Sequence, residues 1–240
     1  YTSGTTGRPK GCILSNEYYA MLGGWYATQG GLCPVETEGE RLLTPLPLFH
    51  MNPMACSFVG MLLTRNTTIQ LDRFHPKTWW TDVVETGATI VHYLGVIPAI
   101  LLGLDPVPEE RRHKVKFAFG ANVDPAQHPV FEERFGFPLI EGWAMTETGG
   151  GATIAANQPP HEPGTRCIGW PLNCEARVVD DDDNDLPDGT PGSLIVRHDV
   201  ETPRKGFFSG YYKDEAETER AWRGGWFHTG DVVARRADGR

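Results

Sequence analysis

A chain of 240 residues, 40% hydrophobic and 22% charged, is long enough to bury a sizeable core and lies away from the composition of disordered segments. A formal net charge of -9 excludes a surface built for nucleic-acid backbones or anionic membranes, which need clustered lysine and arginine, so no nucleic-acid partner is expected. No run approaches the roughly 18 apolar residues of a spanning segment, no leader precedes Tyr1, and the five scattered cysteines form no CxxC pair, which together read as a cytoplasmic protein with reduced thiols.

From Tyr1 to Asn157, short apolar runs alternate with segments of helical period, the pattern of an α/β fold with a mostly parallel sheet and flanking helices. A helix opens at Ser15 or Asn16, either of which can cap it, and a strand runs from Arg41 to Pro45. Asn52-Pro53 starts a helix through Leu62, Thr67 to Leu71 returns as a strand, and His75 to Glu85 forms the next helix. The runs 89–94 and 115–119 are buried strands around a helix at Pro98 to Leu102. Asp124-Pro125 caps a helix ending at Phe135-Gly136, before a strand from Pro138 that reaches Trp143. After Asn157 prolines interrupt any long period, and residues 158–240 read as a small β-rich subdomain, a distorted barrel. Its strands are Glu175–Val179 and Ser193–Val196, with a helix over Asp214–Trp222 and a last strand beginning near Asp231. The acidic run Asp180–Asp183 lacks the glycine and terminal glutamate of a calcium loop and reads as a solvated turn.

The opening stretch YTSGTTGRPKG is the most specific motif. A Walker loop needs a glycine, four residues and then Gly-Lys-Ser/Thr; here Gly4 and Gly7 are too close, and Pro9 removes a required N–H. The hydroxyls of Ser3, Thr5 and Thr6, the glycines and Lys10 still suit a mobile polyphosphate, while a Gly/Thr-rich surface turn is the plain alternative.

YTSGTTGRPKG resembles the phosphate-loop signature of the adenylate-forming superfamily of AMP-dependent synthetases and ligases. PLPLFHMN, EGWAMTETGG and GWFHTGD, in that order along the chain, resemble its acyl-site segment, its adenine and magnesium motif and its ribose motif. FHMN, GWAMTET and GWFHTGD are most similar to the carnitine/crotonobetaine-CoA ligase and fatty-acyl-CoA synthetase branches. The resemblance implies the central part of that fold. It implies an ATP-dependent acyl-CoA ligase, which activates a carboxylic acid as its acyl-adenylate with release of pyrophosphate and then forms the CoA thioester. ATP/AMP, Mg2+ and CoA are the implied cofactors and co-substrates, fatty acid metabolism the implied context, and a homodimer is compatible with it.

Residue by residue, the resemblance places Thr2, Ser3, Gly4, Thr5, Thr6, Gly7 and Lys10 around the β- and γ-phosphates. Gly120, Ala121 and Asn122 line the adenine, together with Gly142, Trp143, Ala144 and Met145. Thr146 binds the α-phosphate, Glu147 holds the magnesium ion, and Asp231 accepts hydrogen bonds from the ribose hydroxyls. Trp143-Ala144 departs from the usual Tyr-Gly, so a flat ring is kept and a phenolic hydrogen bond is lost. His50 lies beside the acyl carboxylate and near the thiol entry, where amino-acid-activating relatives carry Phe-Asp; the missing Asp points to a plain carboxylic acid. Val96, Gly149 and Gly150 line the acyl pocket, although Gly149-Gly150-Gly151 reads equally as a flexible loop. Trp226, Phe227 and His228 pack the β subdomain, and the seven histidines other than His50 have no paired context and take surface or packing roles.

Family members carry a segment before the phosphate loop and a mobile lysine-bearing domain after the ribose motif. A chain lacking both is expected to be a poor catalyst by itself, with its opening loop mobile. Adenylation for transfer to a carrier protein and a non-catalytic nucleotide-binding remnant stand as alternatives; intact Lys10, Glu147 and Asp231 weigh against the second.

Overall fold

The computed structural model describes residues 1–3 and 9–240. Among the described residues, thirteen strands and six α-helices follow in chain order: β1 (Thr2–Ser3), β2 (Pro9–Lys10), β3 (Cys12–Ile13), α1 (Asn16–Ala27), β4 (Arg41–Thr44), α2 (Met61–Leu63), β5 (Thr67–Gln70), α3 (Trp79–Glu85), β6 (Ile90–Leu94), α4 (Val96–Leu102), β7 (Phe117–Ala121), α5 (Gln127–Phe135), β8 (Leu139–Trp143), β9 (Ile154–Ala155), β10 (Glu175–Val179), β11 (Gly192–Arg197), β12 (Gly210–Tyr211), α6 (Glu215–Ala221) and β13 (Phe227–Val233). They form two compact units. The first comprises Tyr1–Leu22, Ala144–Ile154 and Trp170–Arg240, and the second Gly23–Trp143 and Ala155–Gly169. Among the described residues, no helix is long and apolar enough to cross a membrane.

The second unit is built on a parallel sheet of order β5-β4-β6-β7-β8, with Leu42 beside Ile90, Val91 beside Ala118 and Phe119 beside Ile140. Of these, β4, β6, β7 and β8 are covered on both faces, which is why they read as apolar runs rather than alternating ones, whereas the edge strand β5 is only half-buried. Leu43, Val91, Ala118 and Leu139 pack with Trp80, Val83, Phe131 and Phe135 of α3 and α5. The Trp80 and Phe135 rings lie 4.6 Å apart, a pair that adds about 0.5–1.5 kcal/mol beyond its buried area. Asp124 Oδ1 accepts from the N–H groups of Ala126 and Gln127, and Gly136 closes α5 at φ 87°. Both ends of α5 thus follow the sequence signals.

Two elements of the second unit differ from expectation. The helix foreseen from His75 begins only at Trp79, because Pro76 draws His75–Thr78 into a turn in which the Thr78 N–H bonds the His75 carbonyl at 3.3 Å. The helix opening at Asn52 is a π-helix over Asn52–Gly60 that tightens into α2. Its i to i+5 spacing stacks Asn52 and Ser57 on one face, and both reach Nδ1 of the fully buried His92, at 2.8 and 3.0 Å.

In the first unit β10, β11 and β13 form an antiparallel sheet, β12 pairs with β3, and β1 with β2. Ser15 Oγ accepts the Tyr18 N–H at 3.1 Å, so Ser15 rather than Asn16 caps α1. Asp214 caps α6 through the Glu217 N–H. Phe227 is buried against Phe207, Phe208 and Trp222. The last strand starts at Phe227, four residues before the expected Asp231, because Thr229-Gly230-Asp231 is a bulge standing opposite the single Leu194. Thr229 donates to the Leu194 carbonyl at 2.8 Å, and Gly230 supplies the φ of 80° that the bulge requires. Asp180 Oδ1 accepts from the N–H groups of Asp182 and Asn184, which folds the acidic run into an exposed turn.

Candidate functional site

In the second unit the candidate residues stand at the carboxyl ends of adjacent parallel strands, where open α/β sheets bind ligands. Gly120 and Ala121 end β7, Gly142 and Trp143 end β8, and Val96 opens α4 just after β6. Asn122 follows at φ 63°, with its carbonyl so close to Gly95 that a Cβ there would lie 1.7 Å away. Val96 and the 120–122 loop are therefore neighbours. Glu141 Oε1 accepts the Val123 N–H at 2.9 Å and ties β8 to that loop, a role that no sequence motif signals. Burial raises the Glu141 pKa, with the Val123 N–H opposing. His50 emerges beyond β4 on a turn in which its N–H bonds the Pro47 carbonyl at 3.0 Å. His50, Val96 and Asn122 are exposed.

In the first unit Glu147 is the centre of a polar cluster. Its side chain is only 4% exposed, and Oε1 accepts from Tyr211 Oη at 2.9 Å and Thr2 Oγ1 at 3.1 Å. Both donors are neutral. Among the described residues Glu147 has no cationic partner, and the Cys12 thiol hydrogen-bonded to it is a further neutral neighbour. Burying a carboxylate without a counter-charge is costly, and a hard cation that takes one carboxylate oxygen together with substrate phosphates fits this donor set. The β2 residue Lys10 pairs with Glu217 and lies 4.7 Å from the centre of the Tyr211 ring. Glu217 also binds Arg220 at 2.6 Å, and these groups line a cavity of about 410 Å³ with Tyr1, Pro9 and Lys213. Burial, followed by the Glu147 charge, pushes the nearby Cys12 thiol up to about 12, so it stays protonated. Cys12 and the other four cysteines are free.

Ala144 is exposed, and Met145 and Thr146 enter a turn closed by the Thr148 side chain, whose Oγ1 accepts the Met145 N–H at 3.0 Å. Asp231 is exposed on the β13 bulge, its N–H donating to Thr229 Oγ1. Ser3 pairs with Pro9 across β1 and β2. Gly4, Thr5, Thr6 and Gly7, and with them the expectation of a mobile loop, lie outside the described residues.

Gly149, Gly150 and Gly151 are buried, and the room that three glycines would leave is filled within the first unit. A Cβ would lie 2.1 Å from the Tyr18 ring at Gly149, 2.5 Å from the Leu22 nitrogen at Gly150 and 2.3 Å from the Phe207 ring at Gly151. At Gly150 the clash is with backbone that cannot swing away. Gly150→Ala is therefore expected to destabilise the protein by about 2–3 kcal/mol, read as a lower urea midpoint, and an unchanged midpoint would contradict this packing.

His128 and His161, left without partners by the sequence, converge on Glu132 in the second unit. Their Nε2 atoms lie 3.0 and 2.8 Å from Glu132 Oε1, which also accepts the Leu139 N–H at 2.7 Å. The three groups are close enough for a metal ion. Yet the Gly164 N–H donates to His128 Nδ1, so Nε2 carries the proton and faces the Leu139 carbonyl at 3.0 Å as a donor. The trio is thus a hydrogen-bonded clamp joining α5, β8 and the 161–164 loop. The legible part of its signal was His128 and Glu132 at i, i+4 on α5.

Burial opposes ionisation of Glu132, but the hydrogen bonds from His128, His161 and Leu139 outweigh it and hold the pKa down to about 2. A depressed carboxylate stabilises the fold above its unfolded pKa and loses that contribution as pH falls toward the folded one. Glu132→Gln is expected to cost about 2 kcal/mol at pH 7. The gap from wild type should close as pH drops from about 4.5 to about 2, measured by denaturant unfolding. A pH-independent gap would refute the clamp.

Residues 1–212 match the family model described as AMP-binding enzyme. The chain is 33% identical to the sulfoacetate–CoA ligase of Cupriavidus necator over 246 aligned positions, covering 100% of this chain and 45% of that protein. It is 28% identical to the crotonobetaine/carnitine–CoA ligase of Proteus mirabilis over 235 positions, 96% of this chain and 43% of the relative. Among solved structures, apo MatB from Rhodopseudomonas palustris superposes with a TM-score of 0.79 at 22% identity, covering 98% of this chain and 45% of that one. A benzoate CoA ligase from Burkholderia xenovorans gives 0.83 at 19% identity, covering 96% and 46%. The fold is thus shared with adenylate-forming synthetases. The chain belongs to the AMP-binding enzyme family, and it spans about 45% of the length of the first of these relatives.

Proposed function

We propose that this chain is the central part of an ATP-dependent acyl-CoA ligase. The observation that carries the reading is the buried Glu147, which is held by neutral donors and has no cationic partner among the described residues of this family member. In the proposed reaction a carboxylate oxygen of the acid attacks the α-phosphorus of ATP, the bond to pyrophosphate breaks, and pyrophosphate leaves with the bonding electrons. The thiol sulfur of CoA then attacks the acyl carbon and AMP departs. Such chemistry asks the protein to position groups and neutralise charge rather than to supply a strong base.

Lys10, with the 2–7 segment, serves the β- and γ-phosphates, Thr146 the α-phosphate, and Asp231 the ribose. Gly120–Asn122 and Gly142–Met145 serve the adenine, and His50 and Val96 the acid. Gly149 and Gly150, by contrast, support this site through packing. A magnesium ion at Glu147 would neutralise phosphate charge during the first step. The names of the curated relatives favour CoA over a carrier protein as acceptor.

The test is hydroxamate trapping with the full-length protein, ATP and a panel of carboxylic acids beginning with those named for the relatives. Each acid trapped is then assayed for its CoA thioester. ATP binding with no trapped adenylate for any acid would favour a nucleotide-binding remnant, and an adenylate that CoA does not discharge would favour a carrier protein.

A further inference from the structure

We propose that Tyr211 is the positioning residue that aligns Glu147 and Lys10 for nucleotide binding, an assignment that rests on the reading above. Antiparallel pairing sets Tyr211 opposite Cys12, two residues beyond Lys10, so the ring is fixed by backbone hydrogen bonds rather than by a flexible loop. The Tyr211 N–H donates to Thr218 Oγ1 at 2.9 Å, which adds a tie to α6 beside Glu217. From this seat one side chain meets both charged groups. Its hydroxyl donates to Glu147 Oε1 at 2.9 Å, and its ring face lies 4.7 Å from the Lys10 ammonium, which Glu217 engages as well.

The two contacts have distinct consequences. With Thr2, the phenol pins Oε1 and fixes the carboxylate plane, so that Oε2 is presented in one direction. The ring gives the ammonium an attractive surface that does not compete with phosphate for its N–H donors. No sequence motif marked this residue, because the contacts come from strand pairing across some two hundred positions.

The experiment compares full-length wild type with Tyr211→Phe, Tyr211→Leu and Glu147→Gln in ATP–pyrophosphate exchange and in calorimetric binding of ATP with and without Mg2+, titrating Mg2+ and ATP separately. Tyr211→Phe removes the donor and keeps the ring, so the Mg2+ midpoint is expected to rise about fivefold, with the rate at saturating Mg2+ within about twofold of wild type. Tyr211→Leu also removes the ring and should raise the KM for ATP about fivefold. A wild-type Mg2+ midpoint in Tyr211→Phe, or a fall in kcat alone in both variants, overturns the assignment. If Glu147→Gln keeps the wild-type Mg2+ response, the nucleotide-site reading itself fails. If only the Tyr211 variants do so, the failure is confined to Tyr211.

Discussion

Glu147→Gln in the full-length protein is expected to lower the rate of acyl-adenylate formation about 10²–10³-fold at saturating ATP, with the fold preserved. The glutamine is isosteric, and its carbonyl oxygen can still accept from Thr2 and Tyr211, so the hydrogen bonds seen at Oε1 survive. The loss is the charge. Because the donors around Glu147 are neutral, that charge is not consumed by a structural ion pair and would remain for the magnesium ion proposed above. Stopped-flow or exchange kinetics together with thermal unfolding would read both halves of the expectation. A variant with near-normal adenylation, or one that lost activity only because it unfolded, would show that the carboxylate is structural.

His92→Leu should be the most destabilising single change in the second unit. His92 sits on β6 and is fully buried, where burial lowers its pKa to about 3 and keeps the ring neutral. Asn52 Oδ1 accepts from Nδ1, and Nε2 therefore accepts from Tyr26 Oη at 2.7 Å. Leucine would leave Tyr26, Ser57 and Asn52 without this partner, at an expected cost of about 3–5 kcal/mol. It would also remove the reason for Asn52 and Ser57 to share a face, so the π-helix should relax toward α geometry. The sign of the pH dependence follows. An unfolded histidine binds its proton below about pH 6.5, whereas folded His92 does so only near pH 3, so wild-type stability is lost as pH is lowered through that window. The variant should lack that slope, and equal slopes in the two proteins would contradict a neutral, buried His92.

The sequence alone sufficed wherever the controlling physics is local. Asp124-Pro125 and Gly136 bounded α5 because capping is decided within a turn of the helix. The runs around Ile90 and Phe117 were legible as buried parallel strands because both faces are covered. The motif from Tyr1 to Gly11, with the Thr146-Glu147 and Asp231 segments, sufficed for the family resemblance, since contiguous residues carried each signal.

Other features needed partners far along the chain. A helical period cannot distinguish α from π when the choice is made by His92, thirty-five residues after Ser57. Three glycines in a row read as open space or flexibility until Tyr18, Leu22 and Phe207 were seen to fill it. Gly230 became a bulge rather than a turn only against Leu194, and His128 found His161 only through a loop returning to α5. Around Glu147 the sequence by itself offered a Thr-Glu pair in a recognisable motif. The tertiary structure decided that the carboxylate is buried, that Thr2 and Tyr211 hold the same oxygen, and that Tyr211 also faces Lys10. Local sequence could specify the charged group, but its environment is a property of side chains from three distant segments, which only the packed chain brings within hydrogen-bonding reach.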